Sequence, residues 1–158
     1  MTISKDEFRH ALARFASGVT VVTTRDKSGR LHGITVSAFS SVSLEPPLIL
    51  VCIEKIAGSH TAFEQSEFFN VNILDETQQH FSDRFASHLP NKFDGIEYFE
   101  TDKGLPFLTD ALAHLECRLS YAHAGGDHTI FVGEILAATA RDGKPLIYFH
   151  GNYRKLKD

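Results

Sequence analysis

Tryptophan is absent from this 158-residue chain, methionine occurs once and cysteine twice. No apolar run approaches the roughly 18 residues that would span a bilayer. Cys52 and Cys117 stand in apolar, strand-like segments without a Cys-x-x-Cys or Cys/His spacing, so they read as buried thiols rather than zinc ligands. The nine histidines are too dispersed for a preformed metal cluster, and no metal is expected. Basic residues are scattered and the net charge is −4, which disfavours a nucleic-acid partner. The first residues, Met1-Thr2-Ile3-Ser4-Lys5-Asp6-Glu7, are polar and acidic where an export signal would be basic and then apolar. A cytoplasmic protein without membrane attachment is the expectation. Phosphate-binding and nucleophile motifs are missing too: no G-x-G-x-x-G opens a helix after a strand, and neither a G-x-x-x-x-G-K-[ST] loop nor a G-x-S-x-G elbow occurs.

What is present is an ordinary globular composition, 42% apolar and 23% charged. A chain of this length suffices for one domain, 1–158, whose folding removes roughly 70% of its unfolded surface from water. Ser4 to Ala16 predicts an amphipathic helix, with Ser4 and Glu7 at capping-box spacing and Phe8, Ala11, Leu12, Phe15 and Ala16 on one face. Val19 to Thr24 and Leu31 to Val36 predict two strands joined by a hairpin turn through Asp26 and Ser28-Gly29. Leu44-Glu45-Pro46-Pro47 must break a strand, and the continuous apolar run Leu48 to Ile53 predicts one buried on both faces. A short helix over Ser59 to Ser66 with Ser59 as N-cap, a strand over Phe68 to Leu74 and a helix over Asp75 to Ala86 follow. From Ser87 to Phe107 periodicity fades, and an irregular segment of that length is expected to be functional or to cover a site. Leu112 to Ala122, His128 to Ala140 and Leu146 to His150 predict the remaining strands, before a polar tail from Gly151. Six or seven strands on short turns, with two or three helices and no βαβ alternation, predict a mainly β fold, an antiparallel barrel with peripheral helices.

Three stretches carry residues suited to chemistry. Gly33 to Ser43 interleaves Thr35, Ser37, Ser40, Ser41 and Ser43 with Ile34, Val36, Phe39 and Val42, giving an uncharged row of small donors that suits a phosphorylated or flat heteroaromatic ligand. The same alternation is ordinary in an edge strand that exposes Ser and Thr to water. Gly125-Gly126-Asp127-His128 is a good hairpin turn, and it also delivers an acid and an imidazole at the start of a strand, where His128 is able to donate a hydrogen bond or move a proton. In Ser82-Asp83-Arg84-Phe85, Arg84 either reaches a phosphate or is a solvated side chain beside a core Phe85.

Taken together, the chain resembles the short-chain flavin reductases, the reductase components of two-component flavin-dependent monooxygenases such as those acting on hydroxyphenylacetate and other phenols. The resemblance is carried by Phe8-Arg9-His10-Ala11-Leu12, Phe15 to Thr24, Gly33 to Ser43 with Pro46-Pro47-Leu48, Phe69 to Leu74, Arg84-Phe85, Gly126-Asp127-His128, and Tyr148 with Gly151 to Arg154. It implies a split, antiparallel, Greek-key-like β-barrel of the FMN-binding type, a homodimer, and use of NADH or NADPH to reduce FMN or FAD. Position by position, it implies that Thr35, Val36, Ser37 and Ala38 lie along the flavin ring and ribityl chain, with Ser40 and Ser41 near the phosphate. Cys52, Ile53 and Glu54 would follow the ring from a neighbouring strand, while Ser59, His60, Arg84 and Phe85 would hold the phosphate or adenylate end. Asp127 and His128 would face the nicotinamide, with Tyr153 and Arg154 closing that pocket. The choice between FMN and FAD stays open.

The chemistry so implied belongs to the cofactors, and the protein stacks the two rings, which explains the lack of a strong acid–base pair. Reduced flavin would pass by diffusion to a separate oxygenase component. Rival readings are a flavin-binding carrier, store or sensor without reductase activity, a flavoenzyme that retains its flavin and acts on an organic substrate, and a flavin-free enzyme.

Overall fold

The computed structural model describes residues 2–157. In chain order the elements are α1 (Lys5–Leu12), β1 (Ser17–Gly18), β2 (Thr20–Arg25), β3 (Leu31–Val36), β4 (Phe39–Ser43), β5 (Leu48–Glu54), α2 (His60–Gln65), β6 (Phe68–Ile73), α3 (Gln79–Ala86), β7 (Tyr98–Glu100), β8 (Pro106–Leu108), β9 (Ala113–Gly125), β10 (His128–Ala140), β11 (Ile147–Phe149) and β12 (Asn152–Arg154). The fold is mainly β, and every strand pairing in it is antiparallel.

Seven strands form one sheet in the order β3-β2-β6-β9-β10-β5-β4. Its two edges, β3 and β4, are consecutive in the chain and joined only by Ser37 and Ala38. Seven strands laid flat would span roughly 29 Å at ~4.8 Å per strand, whereas Val36 and Phe39 lie within about 11 Å along the chain. The sheet must therefore curl until its edges meet at that corner. They meet without pairing: among the described residues no ladder joins β3 to β4.

Strand β2 shows why the curl is stable. Five of its six residues are buried, because its two faces serve two cores. Val22 points into a cluster with Val51, Phe69, Val71 and Phe131, and Val21 into one with Leu74, Phe81, Phe85 and Leu108. Helix α3 lies over the second cluster, which fixes its C-terminal end beside β3.

Several expectations need correction. The first helix is shorter than predicted: the Ser4–Glu7 capping box forms, but the helix stops at Leu12. None of its residues is buried, and Phe8, Leu12 and Phe15 remain 53%, 54% and 79% exposed. Strand β5 is fully buried on one face only, through Ile49, Val51 and Ile53, because Leu48, Leu50 and Cys52 on the other face are half-buried beside a groove. Cys52 is accordingly only half-buried, whereas Cys117 is fully buried. Ser59 holds the N-cap position of α2 without a side-chain cap bond. Helix α3 starts at Gln79 rather than Asp75, since the Asp75 carboxylate is turned to Thr77 and Arg141. The segment after Ser87 contains the hairpin β7–β8, and the polar tail contains β12, which pairs with β11. Counting these short pieces, twelve strands are described rather than six or seven, while the three helices agree with the two or three expected.

Candidate functional site

The corner where the sheet edges meet carries the hydroxyl-rich stretch. Gly33 to Ser43 is not one strand and its exit. It is the end of β3, a two-residue crossing and a second edge strand, β4, that pairs with β5. The Ala38 carbonyl accepts from the Cys52 N–H at 3.0 Å and that of Ser37 from the Phe39 N–H at 2.9 Å. Among the described residues the N–H groups of Ser37 and Ala38 have no protein acceptor, so the crossing presents donors outward.

The crossing lines the larger of two cavities, and the smaller lies further along the sheet. The smaller, about 330 Å³, is bounded by Gly33 and Ile34, by the segment from Glu54 to Ser59, and by the Phe85 to Lys92 segment after α3. The larger, about 690 Å³, is lined by Ser37, Ala38, Ser40 and Cys52 on the sheet side and by Phe8, Leu12, Phe15 and Tyr148 opposite. Cys52 lines one and Glu54 the other. As residues i and i+2 of one strand they share a face, roughly 7 Å apart, so the two cavities adjoin.

Of the expected site residues, Ser37, Ala38, Ser40 and Cys52 gather at the larger cavity and Glu54, Ser59 and Phe85 at the smaller. Ser41 is exposed beside an irregularity in the β4–β5 ladder. Several others have side chains committed elsewhere. The Thr35 hydroxyl donates to the Ser82 carbonyl at 2.6 Å. Val36, Ile53 and Phe85 are core residues, which leaves only their backbone for a ligand. His60 is buried, 2.8 Å from the Thr129 hydroxyl through Nε2 and packed on the Phe131 ring, so it braces α2 rather than facing a ligand. Arg84 donates to the carbonyls of Asn91, Lys92 and Asp94, which commits its guanidinium to the loop after α3.

The residues expected on the nicotinamide side stand in two places, Asp127 and His128 at the β9–β10 turn and Tyr153 and Arg154 on β12 beside α3, and none of the four lines either cavity. Gly126 takes φ +70° in the turn, and Lys55 closes it by donating its ammonium to the Gly126 carbonyl at 2.7 Å and its backbone N–H to that of Asp127 at 2.9 Å. His128 sits directly across from Glu54. Its Nδ1 is 2.7 Å from Asp127 Oδ1, and since a carboxylate only accepts, Nδ1 carries the proton and Nε2 is left without a protein partner among the described residues. That bond holds the Asp127 carboxyl below its usual range. Tyr153 exchanges a hydrogen bond with the Ser82 hydroxyl at 2.7 Å and donates to Asp83 at 3.0 Å; burial, with Asp83 beside it, raises its pKa and keeps the phenol protonated. Arg154 is exposed at the next position of β12.

Burial raises the Cys52 pKa, and burial with neighbouring Glu116 pushes Cys117 up to about 12, so neither thiol is a thiolate at neutral pH. Lys92 is the functional candidate that sequence reading passed over. Lys92 lines the smaller cavity, its ammonium donates to the carbonyls of Phe85 at 2.8 Å and Gly33 at 3.3 Å, and burial lowers its pKa. The available signal was the irregular Ser87 to Phe107 segment, whose first residues do wall the cavity.

Comparison with known proteins gives one family. The profile of the flavin reductase like domain matches residues 12–157. The chain is 41% identical to the reductase subunit HsaB of a flavin-dependent monooxygenase from Rhodococcus jostii, over 96% of this chain and 77% of that protein. It is 42% identical to the FMN reductase (NADH) SmoA of Agrobacterium fabrum, over 92% of this chain and 83% of that one. Among solved structures, the NADH:FAD oxidoreductase SgcE6 of Streptomyces globisporus C-1027, in complex with NAD and FAD fragments, superposes with a TM-score of 0.93 at 34% identity, covering 98% of this chain and 93% of that one.

Proposed function

We propose that this chain, which belongs to the flavin reductase like domain family, is an NADH-dependent flavin reductase that supplies reduced flavin to a separate monooxygenase component. The observation that carries the reading is the donor-lined crossing at Ser37 and Ala38 on the wall of the larger cavity, with the smaller cavity along the same face of β5. The side chains there are small and uncharged, and the two volumes fall in the range of small-molecule sites. They fit a long, flat ligand with one charged end.

When bound, the flavin supplies a two-electron acceptor for the nicotinamide's hydride. Ala38 and Ser37 leave room for two stacked rings, and their outward N–H groups are donors that stabilise negative charge developing on a ligand. Cys52 and Glu54 line the same face from β5. His128, with Nδ1 held by Asp127, offers Nε2 to the nicotinamide carboxamide, and Tyr153 and Arg154 bound that side. Thr35, Val36 and Ile53 contribute backbone only. Ser59 serves the charged end, and Ser40 and Ser41 flank the crossing.

The same reading extends to the assembly. The curled sheet with unpaired edges is a split β-barrel, and one domain over 1–158 carries the activity. Helix α1, fixed by its capping box, and the turn after it hold Phe8, Leu12 and Phe15 out beside the larger cavity, and a second copy of the chain is the cover we assign to them. No helix among the described residues is long and apolar enough to cross a membrane. We assign the enzyme to the cytoplasm, where NADH is available.

Initial rates of NADH and NADPH oxidation against FMN, FAD and riboflavin test the function. Turnover with at least one pair is expected. Flavin binding without turnover would make the chain a carrier instead.

A further inference from the structure

The hairpin β11–β12 turns through His150 and Gly151, both at positive φ (+54° and +76°), as a two-residue turn between antiparallel strands requires. Its register sets Tyr148 directly opposite Tyr153. The two rings meet near edge-on, with 5.6 Å between centroids and 67° between planes. Tyr148 lines the larger cavity on the wall opposite the Ser37–Ala38 crossing, and its hydroxyl has no hydrogen-bond partner among the described residues. Tyr153 lines neither cavity and stands behind Tyr148, against the second core.

What holds Tyr153 is its hydroxyl. It donates to the Asp83 carboxylate at 3.0 Å, and since a carboxylate only accepts, Ser82 is the donor in the 2.7 Å bond between the two hydroxyls. Ser82 is 1% exposed, and its backbone carbonyl accepts from the hydroxyl of Thr35, two residues before the crossing, at 2.6 Å. One residue of α3 is thus tied to both walls of the larger cavity, to the sheet wall through Thr35 and to the opposite wall through Tyr153 and Tyr148. Helix α3 is itself seated on the second core by Phe81 and Phe85, and a close-packed core has no free volume in which to absorb a shift.

We propose that Tyr148 packs against the nicotinamide from the side away from the sheet, and that Tyr153 and Ser82 are positioning residues which set its distance from the crossing. They thereby fix the width of the slot in which two rings stack. The inference rests on the flavin reductase reading and changes the part Tyr153 plays in it: Tyr153 touches no ligand and acts through Tyr148. Width matters because hydride transfer needs the two rings held at reacting distance, and a displacement of about 1 Å costs up to about 100-fold in rate.

The test is a double-variant cycle on flavin reduction by NADH, with rates referred to flavin-binding sites so that lost folded protein cancels. Tyr148→Leu is expected to lower kcat/KM for NADH about tenfold with FMN affinity within about twofold, and Tyr148→Phe, which keeps the ring, to restore most of the loss. Tyr153→Phe removes only the anchoring hydroxyl. It is expected to lower kcat/KM about fivefold alone and by less than about twofold in the Tyr148→Leu background. Losses that multiply in the double variant overturn the proposal, because Tyr153 would then meet the ligand itself, as does an unchanged kcat/KM in Tyr148→Leu. FMN affinity that falls as far as kcat/KM in Tyr153→Phe overturns it too, since more than the slot width would have moved. A wild type that oxidises no NADH with any flavin overturns the functional reading and this inference with it, whereas an active wild type with multiplying losses overturns this inference alone.

Discussion

The two cavities share a sheet and the β5 face that carries Cys52 and Glu54 but differ in what closes them. Over the smaller one lies an irregular loop held by arginine-to-carbonyl bonds and bearing Lys92. Over the larger lie α1 and the turn after it, whose Phe8, Leu12 and Phe15 are exposed. One strand face therefore serves two unlike surfaces, and the packing partner, more than the strand, decides the chemistry of each. A polar, cation-bearing wall suits a charged tail. An open apolar wall suits a ring system and a second copy of the chain.

The largest expected effect falls on the apolar side. Leu12→Glu with Phe8→Glu puts charges where a partner chain would be packed, and an unpaired buried charge costs about 3–5 kcal/mol. Light scattering should show the assembly falling to monomer, with loss of most NADH oxidation. An unchanged dimer would remove α1 from the interface and break the comparison on that side.

The next effect belongs to the smaller cavity. A Cβ on Gly33 would lie 2.5 Å from the Phe85 ring and 3.3 Å from that of Phe93, both anchored in the second core. Gly33→Ala is expected to cost about 1–3 kcal/mol of stability, the range for overpacking, and to weaken FMN by narrowing the cavity. Thermal unfolding and FMN titration check both. Lost stability with full FMN affinity would place the flavin tail elsewhere.

His128→Ala sharpens the division between flavin and nicotinamide. Removing one hydrogen bond to the nicotinamide should raise the KM for NADH about tenfold while flavin affinity stays within twofold. An unchanged kcat/KM for NADH would take His128 out of the mechanism.

Much of this architecture is legible in the residues. Strands β3 and β10 run over the lengths predicted, because Asp26 to Gly29 and Gly126-Asp127 punctuate their hairpins with turn chemistry that acts within a few residues. The hydroxyl row at the corner is legible for the same reason. What was not legible depends on distant partners. The double burial expected of β5 fails because Leu50 and Cys52 are apolar for the sake of a groove, and apolar character does not distinguish a core from a groove. Arg84 and His60 look like ligand contacts until α3 and α2 are docked. His60 then meets Thr129, 69 residues away, and Arg84 turns to a loop with no period to announce it. Lys92 was hidden in that loop.

The smallest effect comes from a site remote from both cavities and serves as the control. Asp75 is buried, and burial alone would raise its pKa. Hydrogen bonds from the Thr77 N–H at 2.9 Å and hydroxyl at 2.8 Å, with Arg141 at 2.9 Å, outweigh that and hold it below 3.8. A carboxyl lowered in the folded state contributes stability that is complete above its unfolded pKa and disappears as pH falls through the folded one. The wild type should therefore lose stability below about pH 4. Asp75→Asn, lower at neutral pH by about 1–3 kcal/mol, should lack that acid limb. Because Asp75 ties the turn before α3 to Arg141 rather than to β3 or β5, FMN affinity and the KM for NADH should not move at neutral pH. A change in either would mean that general loosening of the fold reaches the corner. The Gly33, His128 and Tyr153 effects would then have to be measured against that background before any is assigned to one cavity.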